Sequence, residues 1–363
     1  MKWLPLYLLA WVTAGGAAAG LTWLCRRLAP RLGFVDRPCA EAHKLHRQPV
    51  PVLGGPAIFG ALIISFAAGL AAVQLLPVAV TAPHLAGIHA RLPQLLVIGT
   101  GAGLLMAMGL FDDRKALRAL PKFAIQALVC AGVAWFGPRV SLFLADGLAT
   151  WLLTALWLML VLNAINFLDN MDGLAAGITA ICAFFFLTVA ALREQYFVTL
   201  FGAVVCGGAG GFLLFNRPPA SIFMGDSGSH VLGLCLGVLG AMTAYYDPGR
   251  GPASPTVAPV LIPLLVLAVP LFDLCAVVTI RTRLGRPFWV GDNRHISHRF
   301  ELMGMGRPLA MLLVLALVFV TGAGALTLLW LPPEGVVLPL AQAALVLAVV
   351  SVLQGFGKGR MGP

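Results

Sequence analysis

Charge is what this chain has least of. Only 10% of its 363 residues are Asp, Glu, Lys or Arg, against 60% that are hydrophobic, and the mean hydropathy is +0.94. A water-exposed globule of this length needs a charged surface, so that class is excluded. No basic soluble module is present to hold a nucleic acid, and the net charge of +10 has to be explained at a membrane. Seven cysteines occur without a CxxC pair. Six lie in or beside apolar runs and Cys39 lies in a loop, so they read as small buried apolar residues. Internal repeats and low-complexity segments are also missing.

What is present is a series of apolar runs, each near the roughly 17 to 25 residues that cross a bilayer as a helix. They fall at about 4–25, 52–76, 94–111, 120–137, 149–167, 174–192, 197–215, 229–246, 256–280, 308–330 and 336–354. The first is followed by Arg26 and Arg27 where a signal peptide would place small residues, so it is kept as an anchor. The chain is therefore expected to be all-α, a polytopic membrane protein of 10–11 transmembrane helices forming one domain over 1–363. Glycine patches such as GGAAAG and GGAGG suit close helix packing.

Lys and Arg concentrate in alternate connections, at about 26–51, 112–122, 216–228 and 281–307 and in the C-terminal tail, with the turn at 168–173, which holds no Lys or Arg, on the same side, while the opposite loops hold only Lys2, Arg91, Arg139, Arg193 and Arg250. The positive-inside rule then places the N-terminus outside and the C-terminus in the cytoplasm.

Against that bias, most carboxylates also fall on the inner side, where apolar runs stop. GLFDDRKALRALPK (109–122) carries adjacent Asp112 and Asp113, whose mutual repulsion a cation would relieve. NAINFLDNMDGLAAGI (163–178) places Asn163, Asn166, Asp169 and Asp172 three apart, a slowly drifting stripe if the helix continues. NRPPASIFMGDSGSHVLG (216–233) sets Asp226 between glycines before a span, where backbone N–H groups can approach a phosphate. RTRLGRPFWVGDNRHISHRFELMGMGR (281–307) holds Arg294, His295, His298 and Arg299.

A His pair without a third His or Cys does not favour zinc, and GDSG without a β-rich soluble domain does not make a serine-protease triad. Clustered carboxylates with Arg, Lys and His suit Mg²⁺ and phosphates, hence phosphoryl transfer. Two other classes are open at this point. A transporter would place ionisable groups near mid-span, where only Asp273 lies, and an intramembrane aspartyl protease would need two facing aspartates inside spans.

HKLHRQPVPVLGG (43–55), GLFDDR (109–114), NAINFLDNMDGLAAG (163–177), FMGDSGS (223–229), PLFD (270–273) and HISHRFELMG (295–304) together resemble, in order and over nearly the whole chain, the polyprenyl-phosphate N-acetylhexosamine-1-phosphate transferases. The resemblance implies a multi-helix enzyme of the bacterial inner membrane, working at the cytoplasmic face among membrane lipids. It would transfer a sugar 1-phosphate from a UDP-sugar to polyprenyl phosphate, release UMP, and need Mg²⁺, with Mn²⁺ able to substitute. It implies catalytic roles for Asp112, Asp113, Asp169 and His298, and metal ligation by Asp226 and Asp169. Substrate contacts would come from Lys44, Asn163, Asn166, Asp172, Phe223, Arg294, His295 and Arg299. No nucleic acid is implied, and a homodimer is left open.

Two positions depart from the family's patterns. Ser297, His298 and Arg299 stand where the muramoyl-pentapeptide branch has a run of three histidines, which points away from that branch; HISHR fits the looser pattern of the GlcNAc-1-phosphate branch except at Ser297 itself, and Asn170 stands where glycine is common. The expected product is polyprenyl-diphospho-GlcNAc, the first intermediate of a cell-envelope glycan. The muramoyl-pentapeptide transferase and the transporter stay as alternatives.

Overall fold

The computed structural model describes residues 3–37, 49–75, 78–140, 147–244, 258–290 and 293–356. Lys44 and Asp292 lie outside them. The chain is all-α apart from one short ribbon: α1 (Leu4–Leu32), α2 (Gly54–Leu75), α3 (Val78–Arg114), α4 (Ala119–Phe136), α5 (Leu148–Leu168), α6 (Leu174–Leu192), α7 (Tyr196–Asn216), α8 (Gly225–Thr243), α9 (Ala258–Val266), α10 (Ala268–Arg283), α11 (Ile296–Leu302), α12 (Arg307–Thr327) and α13 (Val337–Phe356). Among the described residues nine helices are long and apolar enough to cross a membrane, and the bent pair α9–α10 makes a tenth. α8, expected as a span, is kept out of the nine by its polar first two turns and is almost wholly buried within the protein.

The bend between α9 and α10 is 69°. Pro270 has no N–H to give the Val266 carbonyl four residues back, so the helix breaks there. The Cys182 thiol donates to that freed carbonyl instead, at 3.3 Å.

Helices α5 and α8 meet along glycine. A Cβ at Gly233 would sit 2.8 Å from the Leu162 Cα and one at Gly240 2.9 Å from the Trp157 ring, while the Trp157 indole donates to the Gly237 carbonyl at 2.9 Å. The GGAGG patch of α7 does the same against α1, because a Cβ at Gly211 would lie 2.1 Å from the Gly15 carbonyl oxygen.

A two-stranded antiparallel ribbon, β1 (Val35–Asp36) and β2 (Val50–Pro51), leads into α2. It reaches the entry of α8 through a parallel bridge from Val52 to Phe223. The amides of Gly54 and Gly55 donate to the carbonyls of Phe223 and Met224, each at 3.1 Å. Asp226 therefore starts from a segment pinned on its far side.

Candidate active site

The polar ends of α3, α4, α5 and α8 converge. Asn166, in the last turn of α5, donates through Nδ2 to Asp226 Oδ1 at 2.8 Å and to the Ser229 hydroxyl at 2.9 Å. The Lys122 ammonium, in the first turn of α4, bonds both Asp112 Oδ2 at 2.9 Å and Asp226 Oδ2. Asp112 Oδ1 accepts from the Leu117 amide at 2.6 Å, closing the turn between α3 and α4.

Asp113 is used differently from its neighbour. Its carboxylate accepts from the Asp226 amide at 2.7 Å, the Ser227 amide at 3.2 Å and the Ser227 hydroxyl at 2.8 Å, so it caps the otherwise unpartnered N-terminus of α8. Gly225 makes that cap possible. Its φ is +69°, and a Cβ there would lie 2.5 Å from Asp113 Oδ2. Gly109, one turn earlier on α3, would place a Cβ 2.3 Å from the Ser227 nitrogen.

The stripe over 163–172 breaks at Leu168, where α5 ends. Asn163 and Asn166 stay on the helix, Asp169 caps its end, and Asp172 turns away to accept from the Ala220 amide at 2.9 Å. Gly173, at φ +75°, then starts α6. The Asp169 carboxylate makes no hydrogen bond or ion pair with any described residue. Burial, followed by the charges of Asp226, Asp113 and Asp172, pushes its carboxyl well above the ordinary carboxylate range.

Beneath Asp226 runs a buried amide and imidazole chain. His230 lies one turn on along α8, and its Nδ1 bonds the Asp226 carbonyl. That carbonyl only accepts, so Nδ1 carries the proton and Nε2 accepts from Gln126 Nε2 at 2.7 Å. Gln126 Oε1 in turn accepts from Asn163 Nδ2 at 3.0 Å. Asn163 is thus committed to the protein interior, where it orders the groups behind Asp226.

The segment that follows α10 docks on the end of α5. Asp273 of α10 accepts from His295 Nδ1 on one oxygen and from the Ile296 amide on the other, both at 2.7 Å. Arg281 donates to the Phe288 carbonyl at 2.6 Å, approaches His295 Nε2 at 3.5 Å and lies 5.2 Å from the centre of the Phe167 ring. Ser297 donates to Asn170 Oδ1 at 2.7 Å, so the two positions that depart from the family patterns touch each other.

These contacts set α11 against Asn170 just past the end of α5, with the His298 ring 6.4 Å from that of His295 and 3.5 Å from Glu301. Burial is the largest influence on His298 and lowers its pKa. Arg299 donates to the Arg294 carbonyl at 2.7 Å. Phe223 contributes its backbone, donating to the Pro51 carbonyl at 2.8 Å.

Sequence reasoning passed over Lys122, Gln126 and His230 as parts of the site. Two signals were available: Gln126 is the lone amide inside an apolar run, and His230 follows Asp226 at i+4, on the same helix face.

Among the described residues no three His, Cys, Asp or Glu side chains form a ready-made metal cluster. Mg²⁺ needs less, since one or two carboxylates together with substrate phosphates usually hold it. The hard oxygens of Asp226, and of Asp169, which has no hydrogen-bond or ion-pair partner among the described residues, fit that requirement.

A family model described as Glycosyl transferase family 4 matches residues 95–244. The chain is 30% identical over 316 residues to a Bacillus subtilis protein named probable undecaprenyl-phosphate N-acetylglucosaminyl 1-phosphate transferase, covering 85% of this chain and 81% of that one. It is 33% identical over 365 residues to the decaprenyl-phosphate N-acetylglucosaminephosphotransferase of Mycolicibacterium smegmatis, covering 93% and 86%. Similarity to the phospho-N-acetylmuramoyl-pentapeptide-transferase of Acetivibrio thermocellus is higher, at 50%, but spans only 78 residues, 21% of this chain and 24% of that one.

Proposed function

Since the chain belongs to the glycosyl transferase family 4 enzymes, multi-pass membrane transferases that move a phosphosugar onto polyprenyl phosphate, we propose that it transfers N-acetylglucosamine 1-phosphate from UDP-GlcNAc to undecaprenyl phosphate. The products are undecaprenyl-diphospho-GlcNAc and UMP, made at the cytoplasmic face of the inner membrane. The observation that carries the sugar is coverage: relatives named for N-acetylglucosamine align over 85% and 93% of the chain, whereas the muramoyl-pentapeptide transferases align over 21%, 42% and 49% of it.

An oxygen of the lipid phosphate attacks the sugar-bearing phosphorus of the donor, and the bond from that phosphorus to the UMP oxygen breaks. Asp226 and Asp169 would hold a divalent cation, Mg²⁺ or in its place Mn²⁺, which neutralises the diphosphate when bound. Asn166 fixes Asp226 from α5, and His230 fixes its backbone from below. Asp113 keeps the α8 entry in place. Asp112, bonded by the Lys122 ammonium and the Leu117 amide, is the carboxylate that orients the lipid phosphate. A phosphate monoester with a second pKa near ~6 is already mostly dianionic at neutral pH, so orientation outweighs proton removal. His298, Arg294 and Arg299 on the docked loop meet the donor's phosphates and sugar, with Lys44 as a further phosphate contact.

Asp273, the one carboxylate that favoured a transporter, has both oxygens bonded to His295 and Ile296, which fits an anchor for the last loop better than an ion-coupling site. The test is to incubate purified protein with undecaprenyl phosphate, Mg²⁺ and each UDP-sugar separately, following UMP release and the mass of the lipid product. A GlcNAc-diphospholipid is expected. Product from the muramoyl-pentapeptide donor alone would move the chain to the other branch, and no UMP from any donor would remove the enzyme reading.

A further inference from the structure

Lys122 holds the carboxylate that the proposed metal needs. Its ammonium lies between Asp112 Oδ2, at 2.9 Å, and Asp226 Oδ2, while Asn166 occupies the other Asp226 oxygen. The three charged side chains are only 19%, 13% and 26% exposed for Lys122, Asp112 and Asp226, so water screens this cluster weakly. Asp169, by contrast, has no such partner among the described residues.

We propose that Lys122 is a built-in counter-cation that competes with the divalent metal for Asp226 and transfers to the donor's diphosphate when that arrives, coupling metal binding to substrate binding. The inference rests on the proposed reading of the site and adds a residue and an order of events to it.

The physical argument has three steps. A metal that requires Asp226 binds only the fraction of molecules in which Lys122 has let go, and its apparent affinity falls by that fraction. A lysine on a four-carbon stem at the start of a helix can swing without unfolding anything, which an arginine fork or a backbone amide cannot match. A diphosphate beside the site offers the ammonium a new anionic partner, so donor binding frees Asp226. By linkage, bound metal must then tighten the donor by the same factor.

The experiment measures Mn²⁺ binding by electron paramagnetic resonance on the purified full chain, with and without UDP-GlcNAc. Wild type is compared with Lys122→Gln, Lys122→Met and Lys122→Arg. Removing the charge should tighten Mn²⁺ binding without substrate by on the order of ten-fold or more, and should shrink the further gain from UDP-GlcNAc. Lys122→Arg, which keeps the charge, should stay on the weak side. The Met variant keeps a long apolar stem and gives a second reading if the Gln variant is poorly folded.

Unchanged or weaker Mn²⁺ binding in both neutral variants, with wild type binding normally, would overturn the competition. Failure of wild type to bind Mn²⁺ even with saturating UDP-GlcNAc would overturn the metal assignment and the competition with it, an outcome plainly distinct from the first.

Discussion

Adjacent aspartates 112 and 113 look interchangeable in sequence, and the structure gives them different work that one substitution can separate. Asp113→Ala would leave the amides of Asp226 and Ser227 and the Ser227 hydroxyl without their acceptor at the buried entry of α8. Each donor left unsatisfied costs about 1–3 kcal/mol. Partial rescue by water and the removal of a buried carboxylate offset some of this, so the expected net cost is about 2–4 kcal/mol. The loss is local, and it should appear as faster amide exchange over residues 225–230, by roughly 30- to 1000-fold at about 1.4 kcal/mol per decade. Hydrogen exchange read by mass spectrometry in detergent, alongside thermal unfolding, is the assay. Asp112→Ala is the comparison: it loses Lys122 and the Leu117 turn but leaves the α8 entry intact, so exchange over 225–230 should stay near wild type while turnover falls. Wild-type protection and thermal stability in Asp113→Ala would refute the capping role.

Asp226→Asn is expected to abolish turnover and Mn²⁺ binding together, and Mg²⁺-dependent activity at the wild-type rate would remove Asp226 from the metal site. Burial lowers the His298 pKa below its ordinary value near ~6.5, so the unfolded chain takes up a proton first as pH falls. Its contribution to stability is therefore present above the ordinary value and is lost as pH drops below it. An acid limb in thermal stability that persists unchanged in His298→Gln would contradict this, and His298→Ala should raise the donor KM or lower kcat severalfold. Ser297→Ala removes the 2.7 Å bond to Asn170, a loss of about 1 kcal/mol. It should raise the donor KM with little change in overall stability, and an unaltered donor titration would detach that contact from function.

The helices were legible because bilayer thickness fixes their length, and every expected span has a helix at its place. Boundaries moved where polarity misled. α3 starts at Val78 rather than near 94, since His89 and Arg91 look like a loop yet sit within a continuous helix. The four polar motifs were legible as a group, because carboxylates at the ends of apolar runs have few structural uses. What each one touches was not legible. Periodicity reports which residues share a face of one helix, whereas the bonds from Lys122 to Asp226 and from Gln126 to His230 each cross 104 positions of sequence. The drifting stripe failed for a local reason: α5 stops at Leu168, and the Gly173 turn sends Asp172 to a backbone amide. Asp273 stands out for its depth in an apolar run, but its partners His295 and Ile296 lie 22 and 23 positions further on, beyond the loop that follows α10.

The burial of α8 has a consequence for how the protein is made. A segment that opens with Asp226 and His230 and is laced with glycine gains little from lipid and would partition poorly if it left the ribosome alone. Of the helices it packs against, α2, α3, α5, α6 and α7 are synthesised earlier and α9 follows. When α8 emerges, a protein-lined berth already stands in the bilayer, with the Asp113 carboxylate waiting for its first amides and the Leu158–Leu162 face of α5 for its glycines. Chain order thus serves as an assembly schedule, and the least lipid-soluble helix is delivered to a place where lipid is not its solvent.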